Sequence, residues 1–227
     1  GYTTGGTYTT PTDLAETLYN TASEDRQVIY SFTPRIVPSD GGADCVGPTE
    51  TISITVHPLI TYDTELSNYN GYNISCYGYS NGHIRLTPTV DLAPFTYDWS
   101  GPDNFTARNN TGYISDLVAG TYYVTITDRY GCHVSDTITL IEPGKLSMIL
   151  DPSMSNDMMF NINCHGAETG SIEVTPVNSV GFVAYLWQDG LSFENPRNNL
   201  GAGTYGITII DANNCRADSS ITLIDPP

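Results

Sequence analysis

Apolar and polar residues alternate along most of this chain with a period of two. Tyr122, Val124 and Ile126 interleave with Tyr123, Thr125 and Thr127, and Tyr205, Ile207 and Ile209 form a second inward set further on. Successive strand side chains point to opposite faces, so this pattern predicts strands with one face buried and the other in water. Ile84 with Leu86, and Ile172 with Val174, alternate in the same way and are expected on the opposing sheet. Val134, Ile138 and Leu140 predict a closing strand, with Ile221 and Leu223 as its counterpart. Turn formers separate these runs: Ser80-Asn81-Gly82, Ser100-Gly101-Pro102-Asp103 and Asp211-Ala212-Asn213-Asn214. Short strands punctuated in this manner predict an antiparallel two-sheet sandwich. Helical signal is nearly absent, and the single short candidate is Thr12–Leu18.

The pattern is written twice. Asn73-Ile74-Ser75-Cys76, Ile84 and Tyr97-Asp98-Trp99 return as Asn161-Ile162-Asn163-Cys164, Ile172 and Tyr185-Leu186-Trp187. Leu117-Val118-Ala119-Gly120-Thr121-Tyr122, Asp128, Cys132 and Ile141-Glu142-Pro143 return as Leu200-Gly201-Ala202-Gly203-Thr204-Tyr205, Asp211, Cys215 and Ile224-Asp225-Pro226. The second copy is contracted by five residues between its Trp and its Leu. Tandem duplication of a sandwich-sized unit predicts a module array. Val56-His57-Pro58, Ile141-Glu142-Pro143 and Ile224-Asp225-Pro226 mark the ends of units. Proline restricts itself and its predecessor to extended geometry, so stiff junctions and a semi-rigid rod are expected. The expected modules are 1–57, 58–143 and 144–227. The first lacks the repeat and reads as the C-terminal portion of another sandwich whose opening strands lie outside this sequence.

Composition narrows the partners. Acidic residues number 25 against 8 basic, for a net charge of −17, which disfavours nucleic acid and every other partner bound through phosphate neutralisation. No apolar run is long enough to span a membrane and no secretory leader is visible, so the chain is not expected to be membrane-embedded. It reads as a piece of a longer polypeptide.

Four of the five cysteines occupy equivalent places in the two copies, which suggests an oxidising compartment. The simplest pairing is one bridge within each copy, Cys76 with Cys132 and Cys164 with Cys215, each pinning one end of its sandwich. Such loops contribute about 4 kcal/mol in the chain-entropy picture. Cys45 is left unpaired. Cys132-His133 and Cys164-His165 invite a metal or nucleophile reading, but the histidine does not recur at the equivalent places, where Arg216 and Tyr77 stand. No catalytic, cofactor-binding or metal-ligating residue is therefore assigned. Asp128 and Asp211 lie in turns where a carboxylate accepts backbone amides, and the one candidate cation is Ca²⁺ at a module junction. Trp99 and Trp187 are expected in the core, and Tyr122 and Tyr205 at corners where the phenol ties down a loop. Asn73, Asn104 and Asn109 fit the N-glycosylation pattern, and Thr137 follows Asp136 in an Asp-Thr-aliphatic O-glycosylation pattern.

Tyr69-Asn70-Gly71-Tyr72-Asn73-Ile74-Ser75-Cys76, Ser80-Asn81-Gly82, Tyr97-Asp98-Trp99, Leu117-Val118-Ala119-Gly120-Thr121-Tyr122 and Thr127-Asp128 with Gly131-Cys132 together resemble the SprB-type repeat of Bacteroidota surface adhesins. The resemblance spans residues 58–227. Residues 1–57, through Tyr30-Ser31-Phe32-Thr33-Pro34 and Cys45-Val46-Gly47-Pro48, resemble the end of a PKD-like module. It implies tandem Ig-like or fibronectin-III-like sandwiches in a cell-surface filament that is exported by the type 9 secretion system and moved by gliding machinery. Neighbouring modules of the same filament would be the principal partners, and the chain a non-catalytic stalk. Two further readings stand beside it: a module gripping surface polysaccharide through Tyr77, Tyr79 and Tyr123, and an accessory region of a secreted hydrolase.

Overall fold

The computed structural model describes residues 17–36, 41–155, 159–190 and 193–227. Most of the helical candidate Thr12–Leu18 lies outside them; the described Thr17 and Leu18 are not helical. Strands dominate, and the described residues contain no α-helix.

The N-terminal region forms β1 (Arg26–Phe32), β2 (Arg35–Ile36), β3 (Cys45–Val46) and β4 (Glu50–Val56). β1 pairs antiparallel with β4, and β2 with β3. Asn20 holds the start of this region: its amide donates to the Glu24 and Val56 carbonyls, and its side-chain oxygen accepts from Ala22 N–H.

The first copy contributes β5 (Tyr62–Leu66), β6 (Gly82–Pro88), β7 (Thr96–Ser100), β8 (Thr106–Asn109), β9 (Tyr113–Leu117), β10 (Gly120–Thr127) and β11 (His133–Leu140). These make two sheets, ordered β5-β6-β9 and β11-β10-β7-β8. The second copy contributes β12 (Ser147–Pro152), β13 (Gly170–Val177), β14 (Ala184–Trp187), β15 (Arg197–Leu200), β16 (Gly203–Ile210) and β17 (Arg216–Leu223), again in two sheets, β12-β13-β15 and β14-β16-β17. Each copy is thus an antiparallel β-sandwich, as the alternation predicts. The Ile84/Leu86 strand and the Tyr122/Val124/Ile126 strand fall in different sheets, as do their counterparts. The five-residue contraction has a structural meaning: it falls where the first copy builds β8, and among the described residues the second copy's corresponding sheet has three strands instead of four.

Burial follows the period of two. In β10, Tyr122, Val124 and Ile126 are at most 2% exposed while Tyr123 is 55% exposed. The second core gathers Ile162, Ile172, Val174, Trp187, Leu200, Ile207, Ile209 and Leu223, each large side chain contributing roughly 1.5–3 kcal/mol on transfer from water. Gly82 and Gly170 open β6 and β13 at the same depth in the two cores. A Cβ at Gly82 would lie 2.6 Å from Ile74 Cδ1 and 3.0 Å from Leu117 O; at Gly170 it would lie 2.6 Å from Ile162 Cδ1 and 2.8 Å from Leu200 O.

By compactness the described chain falls into two units. One comprises the described residues up to Asp63 with Thr87–Phe95 and Thr127–Val134; the other comprises Thr64–Leu86, Thr96–Ile126 and Ser135–Pro227. Sequence period and compactness divide the chain differently, since a repeat boundary follows ancestry and a compact unit follows packing. In the first unit Leu92 and Phe95 are buried, and His57 stacks on Tyr130 at 3.6 Å while its Nδ1 meets Asp25 Oδ1 at 2.8 Å.

Gly82→Ala and Gly170→Ala should each destabilise by about 1–3 kcal/mol through overpacking of the core. Urea denaturation checks this, and an unchanged midpoint for both would mean that the cores have slack at β6 and β13.

Candidate functional site

Each copy builds the same two loops. In the first kind, an Asp folds the turn that leads to the second cysteine. Asp128 N–H donates to Cys132 O at 3.0 Å, and Asp128 Oδ1 accepts from the amides of Tyr130 and Cys132 at 2.8 and 2.9 Å. Asp211 repeats this with Cys215 O at 3.1 Å, and its Oδ1 accepts from Asn213 and Cys215 at 2.9 and 3.0 Å. An ionised carboxylate organises these amides more strongly than a neutral acceptor would. Gly131 and Asn214 hold positive φ at the same step of the turn, a conformation that Gly and Asn tolerate best. Asp211 Oδ2 also accepts from Val180 N–H at 3.1 Å, whereas Asp128 Oδ2 is buried without a hydrogen-bond partner.

The second kind of loop carries the first cysteine and is anchored to the end of the closing strand. Asn73 and Ile74 donate to Ile141 O at 2.9 and 3.1 Å, and Asn73 Oδ1 accepts from Ile141 N–H at 3.0 Å. Asn161, Ile162 and Ile224 repeat all three bonds at 2.9, 3.2 and 3.0 Å. Next to the cysteine, Gly78 N–H donates to Glu142 Oε2 at 2.6 Å, and Gly166 N–H to Asp225 Oδ2 at 2.9 Å. The Gly166 amide, joined by His165 at 3.1 Å, holds the Asp225 carboxyl below the usual carboxylate range.

The two kinds of loop meet across the copies. A disulfide joins Cys76 of the first copy to Cys215 of the second, with Cα atoms 5.6 Å apart. The bonded cysteines are 4% and 5% exposed and belong to the core of the second sandwich. Asn213, beside Cys215, is inserted into the first copy: its amide donates to the carbonyls of Tyr69 and Ser75 at 3.2 and 3.0 Å, and its side-chain oxygen accepts from Asn70.

This corrects the expected pairing within each copy. Cys132 and Cys164 are exposed free thiols, as is Cys45. The reason lies in strand direction. Cys215 immediately precedes β17, while the Cys164 loop is hydrogen-bonded to Ile224, immediately after β17. An eight-residue strand is about 27 Å long, and a disulfide tolerates Cα atoms only up to about 7 Å apart. Cys132 likewise precedes β11 and the Cys76 loop is bonded to Ile141 after it. The two cysteines of one copy sit at opposite ends, so a bridge spans two copies.

The other singled-out residues fall as follows. Trp99 and Trp187 are each 3% exposed, and Tyr122 and Tyr205 donate their hydroxyls to the carbonyls of Val118 and Gly201 at 3.0 and 2.9 Å, the expected corner. Tyr77, Tyr79 and Tyr123 are exposed. Asn73 commits its amide nitrogen, the atom an N-glycan would occupy, to Ser67 O at 2.9 Å, and Asn161 does the same with Ser153 O. Asn109 Oδ1 caps the turn at Thr111 and Gly112, while Asn104 and Thr137 are exposed. Among the described residues no three His, Cys, Asp or Glu side chains are gathered as a metal site requires, and Asp128 and Asp211 turn Oδ1 toward their own backbones.

A buried charged residue escaped the sequence reading. Arg197 stands where the first copy has Ile114, is 9% exposed, pairs with Asp189 through both guanidinium nitrogens and lies over the rings of Trp187 and Tyr205. The cue was the repeat alignment itself, in which an apolar inward position changes to Arg while Asp189 appears opposite.

Residues 69–104 and 160–192 match the SprB repeat. Both matches begin a few residues before a first cysteine and run past the Tyr-x-Trp strand, so the family signature covers the half of each copy that carries its first cysteine. A search of curated proteins finds no match. Among solved structures, the chain is similar to a C-terminal 282-residue fragment of intimin, in complex with the intimin-binding domain of the translocated intimin receptor, at 12% identity and a TM-score of 0.35, covering 73% of this chain and 64% of that fragment. It is also similar to Dpr2 Ig1-Ig2 in complex with DIP-Theta Ig1-Ig3, at 12% identity and a TM-score of 0.27, covering 88% and 73%. At these scores neither likeness bears on fold or function.

Removing the inter-copy bridge with Cys76→Ser and Cys215→Ser should lower stability by up to about 5 kcal/mol, the chain-entropy value for a loop this long. Guanidinium denaturation with and without reductant reads it: the parent chain under reductant should match the variant. A reductant effect that survives in the variant would place the stabilising bridge elsewhere.

Proposed function

We propose that this chain is a stalk segment of a very large cell-surface adhesin filament, built from a PKD-like region at 1–57 and SprB-type modules at 58–143 and 144–227, and that it catalyses nothing. The observation that carries the reading is the covalent joint between successive copies, placed at the two loops that both copies build alike. A disulfide between modules withholds the residues between its cysteines from extension under tension, which suits a load-bearing shaft in an oxidising, extracellular setting. The excess of carboxylates keeps such a shaft soluble and self-repelling. Export by the type 9 system and attachment to gliding machinery complete the proposal, with neighbouring modules as the chain's direct partners. A glycan at Thr137 belongs to the same reading.

A second reading has a specific observation behind it. Asp98, Ser100, Tyr123, Thr125, Ser135, Asp136 and Thr137 line a shallow depression on the outer face of the four-stranded sheet of the first copy. An exposed aromatic ring beside hydroxyls and carboxylates is suitable for stacking and hydrogen bonding to a surface polysaccharide.

Immunogold labelling of intact source cells with antibodies to this chain tests the first reading. Label on fibres projecting from unpermeabilised cells is the expected result, and label that appears only after permeabilisation contradicts it. Glycan-array binding that is lost in Tyr123→Ala would instead support the second.

A further inference from the structure

We infer that Cys164 is the receiving half of a second joint, and that it forms a disulfide with the Asp-to-Cys loop of another SprB-type module following in line. The inference rests on the array reading. Its basis is that the chain contains the same site twice, once filled and once open.

The filled site is the Cys76 loop, whose cysteine is 4% exposed because the Asp211–Cys215 loop of the next copy covers it. The Cys164 loop reproduces most of its construction, with Thr169 Oγ1 accepting from Asn163 N–H where Asn81 Oδ1 accepts from Ser75 N–H. Tyr79 N–H donates to Cys76 O and Ala167 N–H to Cys164 O, at 3.1 and 3.0 Å. Gly78 and Gly166 hold φ of 74° and 71°, and the acidic residue that ends each module, Glu142 or Asp225, accepts the glycine amide. Ile74 and Ile162, directly before the loop, are both fully buried. The Asn163 carbonyl belongs to the residue that corresponds to Ser75, whose carbonyl accepts from the incoming Asn213. What differs is the occupant: Cys164 is exposed.

The matching insert is present as well. Asp128–Cys132 carries the same carboxylate-to-amide bonds as Asp211–Cys215, and Cys132 is exposed. Each copy therefore bears a socket cysteine at one end and an insert cysteine at the other. This is a head-to-tail interface whose repetition adds one covalent joint per junction. Closing the joint converts two thiols into one Sγ–Sγ bond. The two protons and two electrons pass to a disulfide oxidant, which is reduced to two thiols by exchange through a mixed disulfide.

The test uses the whole chain, extended after Pro226 by a second copy of residues 144–227, so that Ile224-Asp225-Pro226-Gly144 reproduces the Ile141-Glu142-Pro143-Gly144 junction. After refolding with oxidised and reduced glutathione, the free thiols are counted by alkylation under denaturing conditions, and the linked peptides are mapped without reduction. The extended chain has seven cysteines, the five native ones plus two. Three free thiols, with Cys164 linked to the added copy's Cys215, is the expected result, and Cys164→Ser should raise the count to four. Five free thiols, with Cys76–Cys215 intact, overturns the inference and leaves the stalk reading standing. Seven removes the inference together with the joint on which the stalk reading leans. Three thiols with Cys164 paired inside its own copy, or a count still at three in Cys164→Ser, overturns it too.

Discussion

One covalent bond organises this molecule: the Cys76–Cys215 disulfide that ties the end of one sandwich to the beginning of the next. It depends on geometry prepared before the sulfurs meet. Asp211 gathers three backbone amides and presents Cys215 on a fixed turn. Asn73 and Glu142 fix the Cys76 loop against the end of the closing strand. Asn213 then fills the gap between the loops with its side-chain amide. Because both cysteines are buried in the second sandwich's core, the joint is also a packing element, and the stability of one copy is coupled to its attachment to the other.

The two copies keep this joint while varying elsewhere. The first carries β8 and a four-stranded sheet; the second shows no counterpart of that strand among the described residues and places Arg197, neutralised by Asp189, in the position of Ile114. A buried guanidinium is tolerated there because its charge is paired and its plane covers aromatic rings. Conserving the ends and relaxing the middle is what a module selected for its connections would show. The loops that make the joint are alike to within a few tenths of an ångström in their hydrogen bonds.

Much of this was legible from the chain. Alternation at Tyr122, Val124 and Ile126 and at Ile84 and Leu86 assigns residues to opposing sheets, since burial on one face leaves no other register. Trp99, Trp187, Tyr122 and Tyr205 take the places expected of them, because large rings need a core and a buried phenol needs an acceptor. The disulfide was misread for a specific reason. Equivalent cysteines in a repeat are compatible with bridges inside copies or between them, and the choice turns on which end of the sandwich each loop occupies. Strand direction decides it: one eight-residue strand separates Cys215 from the loop of Cys164. Arg197 was missed because a charged residue at an inward position reads as surface until its partner Asp189, across a turn, is seen.

Single-molecule pulling under oxidising and reducing conditions measures the joint most directly. With Cys76 bonded to Cys215, the 139-residue separation between them is withheld from extension, so adding reductant should lengthen the fully unfolded chain by roughly 500 Å in one added contribution. Two separate gains of roughly 200 Å, the signature of bridges confined within copies, or no gain at all, would contradict the account.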